Sequence, residues 1–116
     1  MTPSNKSKYG NIKEEVDGYT FDSRKEAARY RELRLLEQAG EIHDLEVHPK
    51  YELWAWVGTV VEERRVIGTY TPDFEYQTHP FLGRTIIEDV KGVRTAVYRL
   101  KKKLFEANYG LKITEV

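Results

Sequence analysis

Two runs of strand-forming residues lie close together at positions 70–92, and each carries ionised groups that an ordinary core strand excludes. The first runs from Tyr70 through Pro72, Asp73 and Phe74 to Tyr76. The second runs from Thr85 through Ile86, Ile87, Glu88, Asp89 and Val90 to Lys91, and Gly92 ends it. Side chains alternate along a strand, so Ile87, Asp89 and Lys91 share one face while Ile86, Glu88 and Val90 take the other. The isoleucines and Val90 mark a central strand, yet Glu88, Asp89 and Lys91 occupy half of positions 86–91. Central strands rarely keep charge at that density without a use for it. An exposed face with ordinary cross-strand ion pairs explains any one of these residues, but explains the set less well.

The rest of the composition narrows the setting. A chain of 116 residues is one domain with room for a real core. Hydrophobic residues make up 40% and aromatic residues 12%, which marks a globular rather than a disordered chain. Lys plus Arg and Asp plus Glu each number 19, so only the distribution of charge can speak for or against nucleic acid. With no cysteine, disulfides, thiolate zinc sites and a cysteine nucleophile are excluded. No apolar run is long enough to span a bilayer, and the N-terminus lacks the apolar centre of a signal peptide. The expectation is a soluble cytoplasmic protein without a membrane partner, acting in a bacterial host cell if it is phage-encoded.

Residues 1–18 are expected to be an N-terminal tail, with 19–116 forming the domain. Lys6 and Lys8 in the tail could touch phosphate, although a solubilising role is the plainer reading. A helix is predicted from about Ser23 to Ala39, ended by Gly40, with Ala27, Tyr30, Leu33 and Leu36 as its apolar stripe. Residues 41–57 read as extended, interrupted at Pro49; Tyr51–Val57 alternates an aliphatic face with one carrying Trp54 and Trp56. Residues 58–64, with the charged stretch Glu62–Arg65 at their end, read as a hairpin connection or strand extension and lead to a strand over Val66–Tyr76 that is broken at Gly68 and Pro72. A second helix is predicted over about Thr95–Asn108, with Val97, Leu100, Leu104 and Ala107 at its apolar positions. A last strand follows within Leu111–Val116.

Two carboxylates and a lysine brought together on adjacent strands can hold a hard divalent cation, Mg²⁺ or Mn²⁺. Asp73 and Asp89 would be ligands, and the backbone carbonyl of Val90 could add another. Lys91 beside them could position a water or steady phosphate charge. Glu26 falls near the apolar stripe of the first helix and could supply a further carboxylate. Ser23-x-x-Glu26 also reads as a capping box, which local sequence favours; the two roles are compatible. From Lys91 to Lys103 the chain holds Lys91, Arg94, Arg99, Lys101, Lys102 and Lys103 and no acid. These cations, with Thr95 and Tyr98, are candidate phosphate contacts, and a solvated helix face is the alternative. His43, His48 and His79 lack metal-ligand spacing; His48, before Pro49, reads mainly as structural, though it could lie near the site. Trp54 and Trp56 suit base stacking or a core or protein-contact surface.

The motif Pro72-Asp73, then Asp89-Val90-Lys91, resembles that of the PD-(D/E)XK nuclease superfamily. The segments Phe21–Ala27, Gly40–Ile42, Thr71–Tyr76, Ile87–Gly92 and Lys101–Phe105 are similar to a small phage and bacterial family usually described as resembling Holliday junction resolvases. That resemblance covers about residues 19–116. It implies an α/β, restriction-endonuclease-like core: a helix, a three-stranded antiparallel meander, a second helix and a further strand, with helices flanking a central mixed sheet. By position it makes Asp73 and Asp89 metal ligands, Lys91 the catalytic lysine and Glu26 the helix carboxylate; His48 stands where a glutamine is expected. It further implies Mg²⁺- or Mn²⁺-dependent hydrolysis of DNA, with a junction or branched substrate, and a homodimer if both strands are cut. A DNA-binding accessory protein of phage replication or recombination without cleavage, and a protein-interaction domain, are the alternatives.

Overall fold

The computed structural model describes residues 12–58 and 63–116. Its chain order is β1 (Glu14–Val16), β2 (Tyr19–Phe21), α1 (Arg24–Gln38), β3 (His43–Val47), β4 (Tyr51–Trp56), β5 (Arg64–Tyr70), β6 (Phe74–Gln77), β7 (Thr85–Asp89), α2 (Ala96–Tyr109) and β8 (Ile113–Glu115). The architecture is α/β: a mixed four-stranded sheet in the order β3-β6-β7-β8, with two small two-stranded sheets, β1-β2 and β4-β5. β6 runs antiparallel to both β3 and β7, whereas β8 runs parallel to β7. The parallel pair requires a crossover, and α2 provides it.

Local signals set the first helix closely. Ser23 is extended and its hydroxyl accepts the Glu26 N–H at 3.1 Å, so the first turn is capped. Gly40 follows the C-cap with φ of +79°, a left-handed conformation that glycine adopts without penalty. Ala27, Tyr30 and Leu33 are buried as expected. Leu36 is not part of that stripe and is 38% exposed. At that end the inward contact belongs to Glu37, whose carboxylate accepts the Leu45 N–H at 3.0 Å.

The sheet separates two apolar clusters. On one side Phe21, Ala27, Tyr30, Leu33, Ile42, Phe74, Tyr76 and Val90 pack together under α1. On the other, Leu53, Tyr70, Ile87, Tyr98, Phe105 and Ile113 pack between the central sheet, β4-β5 and α2. Strand alternation thus sends Ile87 and Val90 to different clusters.

Three further expectations are corrected. Residues 14–18 are not tail: β1 pairs with β2 around Asp17-Gly18, whose φ values of 53° and 85° suit a tight two-residue hairpin. Positions 1–11 of the expected tail, Lys6 and Lys8 among them, lie outside the described residues, as does Glu62 of the expected hairpin connection. The stretch 66–76 is not one broken strand. Pro72, which has no N–H, marks the passage from β5 in the small sheet to β6 in the central one. The third concerns α2. Its aliphatic positions Val97 and Leu100 are exposed, and Tyr98 and Phe105 are the buried residues.

Candidate metal centre

The register of the central sheet assembles the site. Phe74 pairs with Glu88, so Asp73 and Asp89 stand opposite one another in the next pair outward. Val47 pairs with Phe74, which places His48 beside Asp73, and the His48 N–H donates to the Asp73 carbonyl at 2.9 Å. Asp89 in turn pairs with Glu115 on β8. Four adjacent strands therefore present His48, Asp73, Asp89 and Glu115 at one level. His48 has φ of 54°, a left-handed turn that ends β3 and keeps its ring near Phe21, with centroids 5.6 Å apart.

Glu26, His48 and Asp73 each offer a ligand atom, and these atoms lie within 4.8 Å of one another. Glu26 does two things at once. Its carboxylate takes the Ser23 hydroxyl at 3.4 Å, and it is also in hydrogen-bonding contact with Asp73. Burial, chiefly, pushes its carboxyl above the ordinary range. Asp73 accepts the Val90 N–H at 2.7 Å and lies against the Asp89 carboxylate. The Val90 contribution seen in the structure is thus its N–H rather than its carbonyl. Asp89 touches the Glu26–His48–Asp73 group through Asp73.

The two aspartates are the most perturbed carboxyls of this cluster. Burial raises Asp73 to about 6, with the nearby Glu26 charge adding to the shift. Burial and the Asp73 carboxylate together raise Asp89 to about 7, against the pull of Tyr70 and Lys91. Asp89 is only 2% exposed. It accepts the Tyr70 hydroxyl and pairs with Lys91, Nζ to Oδ1 3.2 Å. Lys91 Nζ also lies 4.0 Å from the Tyr98 ring centroid, a cation–π contact that fixes the ammonium over the site.

Several crowded carboxylates beside an imidazole form a donor set for a hard divalent cation. The raised aspartates fit that reading physically, because a bound dication supplies the counter-charge that two buried, neighbouring carboxylates lack. Next to the cluster opens a cleft of about 620 Å³ lined by Ser23, Lys25, Glu26, Val90, Gly92, Val93 and Thr95. Lys25 Nζ donates to the Lys91 carbonyl at 3.2 Å, so a second cation stands at the cleft.

Glu88 takes the other face of β7, toward α1. Arg29 grips it bidentately, Nε at 2.8 Å and Nη2 at 2.6 Å, and the Tyr76 hydroxyl donates to it. Glu88 is 1% exposed and fully engaged, which removes it from the cluster. The adjacent carboxylates thus separate: Glu88 ties α1 to the sheet, and Asp89 faces Asp73 and Lys91.

The candidate phosphate contacts on α2 divide differently from expectation. Thr95 uses its hydroxyl to cap the helix by accepting the Tyr98 N–H at 3.0 Å. Tyr98 is buried and donates to Glu115 at 2.7 Å. Arg94 and Lys102 pair with that same carboxylate, at 2.7 and 3.3 Å. These bonds hold Glu115 down at about 2. Arg94, Tyr98 and Lys102 therefore spend their polar groups holding α2 to β8, and Thr95 spends its hydroxyl on the helix cap. Among the described residues, Arg99, Lys101 and Lys103 make no such pairs.

Sequence reasoning missed Tyr70 and Glu115, and read His48 mainly as structural with a place near the site as the alternative. The available signal for His48 was its place directly before Pro49 at the end of a strand. Its pairing with Asp73 depends on an irregularity in β3 between His43 and Glu46, which shifts the register. No periodicity in the sequence marks such a shift. Among the described residues, no helix is long and apolar enough to cross a membrane.

Residues 6–115 match the family described as "Protein of unknown function (DUF1064)". No curated protein and no solved structure matches the chain.

Proposed function

The chain belongs to the DUF1064 family, and for it we propose a metal-dependent endonuclease of the PD-(D/E)XK type, acting on DNA phosphodiesters. One observation carries the reading. Register places Asp73 opposite Asp89, and Lys91 closes on Asp89 at 3.2 Å, so the motif separated by fifteen residues in sequence meets at one point. The chain order of α1, the antiparallel β3-β6-β7, α2 and the parallel β8 supports a restriction-endonuclease-like core, with β4-β5 as an inserted hairpin.

Asp73, Asp89 and Glu26, with the His48 ring, would hold Mg²⁺ or Mn²⁺. When bound, such an ion supplies Lewis-acid charge and lowers the pKa of a ligated water. The remaining work falls to the chain. The Tyr70 hydroxyl donates to Asp89 and orients it. Lys91, steadied by Asp89 and the Tyr98 ring, presents N–H donors toward an attacking water or a non-bridging phosphate oxygen. Lys25 at the cleft offers positive charge to the substrate backbone. Glu88 takes no part in this chemistry and fixes the strand that carries Asp89. Branched DNA as the substrate and a homodimer as the working form rest on the family resemblance.

The test pairs binding with cleavage. The protein is titrated with Mn²⁺ by calorimetry and then offered linear, nicked, flapped and four-way DNA with Mg²⁺ or Mn²⁺. The proposal expects stoichiometric Mn²⁺ binding that Asp73→Ala removes, together with cleavage of at least one substrate. DNA binding that is equal in EDTA and in Mn²⁺, with no cleavage, would identify a binding protein instead.

A further inference from the structure

The outward face of α2 has the pattern of a seam with nothing packed on it among the described residues. Val97, Leu100, Leu104 and Ala107 follow the spacing of alternating a and d positions in a heptad repeat. Such a stripe normally faces a core, yet Val97 is 64% and Leu100 60% exposed. Leu104 is half-buried at the margin of the inner cluster. The inner side of the helix is supplied by Tyr98, Phe105 and Tyr109. Val93, in the loop before the helix and 82% exposed, adds apolar surface on the side of the cleft. Single exposed aliphatics need no explanation, but a run of them in heptad register does.

The flanks say what would cover it. Lys101 and Lys103 sit one on each side of the seam, at the positions that meet a partner helix in a coiled coil, with Arg99 just beyond. From Lys91 through Phe105 there is no acid to offset them. A second copy docking here would set lysines against lysines in either orientation, which costs association free energy. DNA would satisfy the lysines but leave the aliphatics against phosphate and sugar. A helix with its own apolar seam and carboxylates on both flanks satisfies all of them. The surface is long enough for it: the ten helical steps from Val97 to Ala107 span about 15 Å. At the Ala107 end lies a recess of about 240 Å³ lined by Trp54, Trp56, Arg64 and Asn108, which could take a bulky side chain from the same partner.

We propose that the outward face of α2 docks an amphipathic helix of another protein, its apolar seam flanked by glutamates or aspartates. The inference stands independently of the nuclease reading. Because Val93 also lines the cleft beside the carboxylates, such a partner would sit next to the candidate site.

Two labelled synthetic helices test it by fluorescence anisotropy: a heptad peptide with Leu at a and d and Glu at e and g, and its twin with Lys at e and g. The expected result is binding of the Glu peptide that weakens with salt, and little binding of the Lys twin. Leu100→Asp, which alters an exposed side chain, should weaken the Glu peptide at least about tenfold without changing the melting temperature. Lys101→Glu with Lys103→Glu should transfer binding to the Lys twin; this keeps the test decisive even if Leu100→Asp disturbs the fold. The proposal is overturned if neither peptide binds, or if both bind equally. It is also overturned if sedimentation shows a wild-type dimer that Leu100→Asp dissociates, or if duplex DNA is the ligand that Leu100→Asp displaces.

Discussion

Glu88 and Asp89 are adjacent, chemically alike and almost equally buried, yet their removal should have opposite effects. Glu88→Gln breaks a bidentate ion pair with Arg29 and turns an acceptor for Tyr76 into a weaker, neutral one. Removing one partner of a buried pair costs about 3–5 kcal/mol, because the other charge is left uncompensated. The Arg29 side chain is 26% exposed and can recover some water, so the lower end, about 3 kcal/mol, is expected. For a domain of this size that is a fall in Tm of roughly 10 °C. Asp89→Asn removes a carboxylate that burial and Asp73 already disfavour, and keeps a group that can accept from Tyr70. At pH 8 the metal-free Asn variant should be at least as stable as wild type. Urea denaturation with EDTA measures both variants, and calorimetry with Mn²⁺ should then show binding kept by Glu88→Gln and lost by Asp89→Asn. A loss below about 0.5 kcal/mol for Glu88→Gln, or equal losses for the two variants, would refute the assignment of Glu88 to scaffold and Asp89 to the site.

Other consequences can be measured directly. Asp73 and Asp89 titrate near 6 and 7 when folded, above the ordinary carboxylate range, so the folded state binds more protons than the unfolded state at intermediate pH. Metal-free stability should therefore fall as pH rises from about 5 to 8, and saturating Mn²⁺ should reverse most of the fall in a thermal scan. His48→Ala should weaken Mn²⁺ about tenfold in calorimetry and Mg²⁺ less, because Mg²⁺ prefers an all-oxygen shell. Gly18→Ala forces a side chain into φ of +85° at the β1-β2 turn and should cost about 1 kcal/mol in urea denaturation, with Mn²⁺ affinity unchanged.

The parts legible in the sequence were those governed by short-range rules. The cap at Ser23 and the glycine at 40 set the bounds of α1 to within a residue or so. Strand alternation separated Glu88 from Asp89 and put Lys91 with Asp89, as the ion pairs at Arg29 and Lys91 show. Long-range register was not legible. His48 reaches Asp73 only after the irregularity in β3, and β5 parts from β6 only because β4-β5 forms a sheet of its own. The orientation of α2 failed for a different reason. Its sequence carries two apolar faces, one aliphatic and one aromatic, and periodicity alone cannot rank them. The aromatic face carries the buried Tyr98 and Phe105, and its hydroxyls find partners: Tyr98 at Glu115 and Tyr109 at the Glu52 carbonyl. The Asp17-Gly18 pair, by contrast, is a short-range turn signal of the type that sets a two-residue hairpin.

The central claim is that Asp73, Asp89 and Lys91 form one hydrolytic site. Single-turnover cleavage of the linear, nicked, flapped and four-way substrates, run with wild type, Asp89→Asn and Lys91→Ala in saturating Mn²⁺, tests it most directly. The account predicts cleavage of at least one substrate by wild type, and rates lower by at least about a hundredfold for both variants, with Lys91→Ala still binding Mn²⁺. Cleavage at wild-type rates by either variant, or no cleavage of any substrate by the wild-type protein, would contradict it.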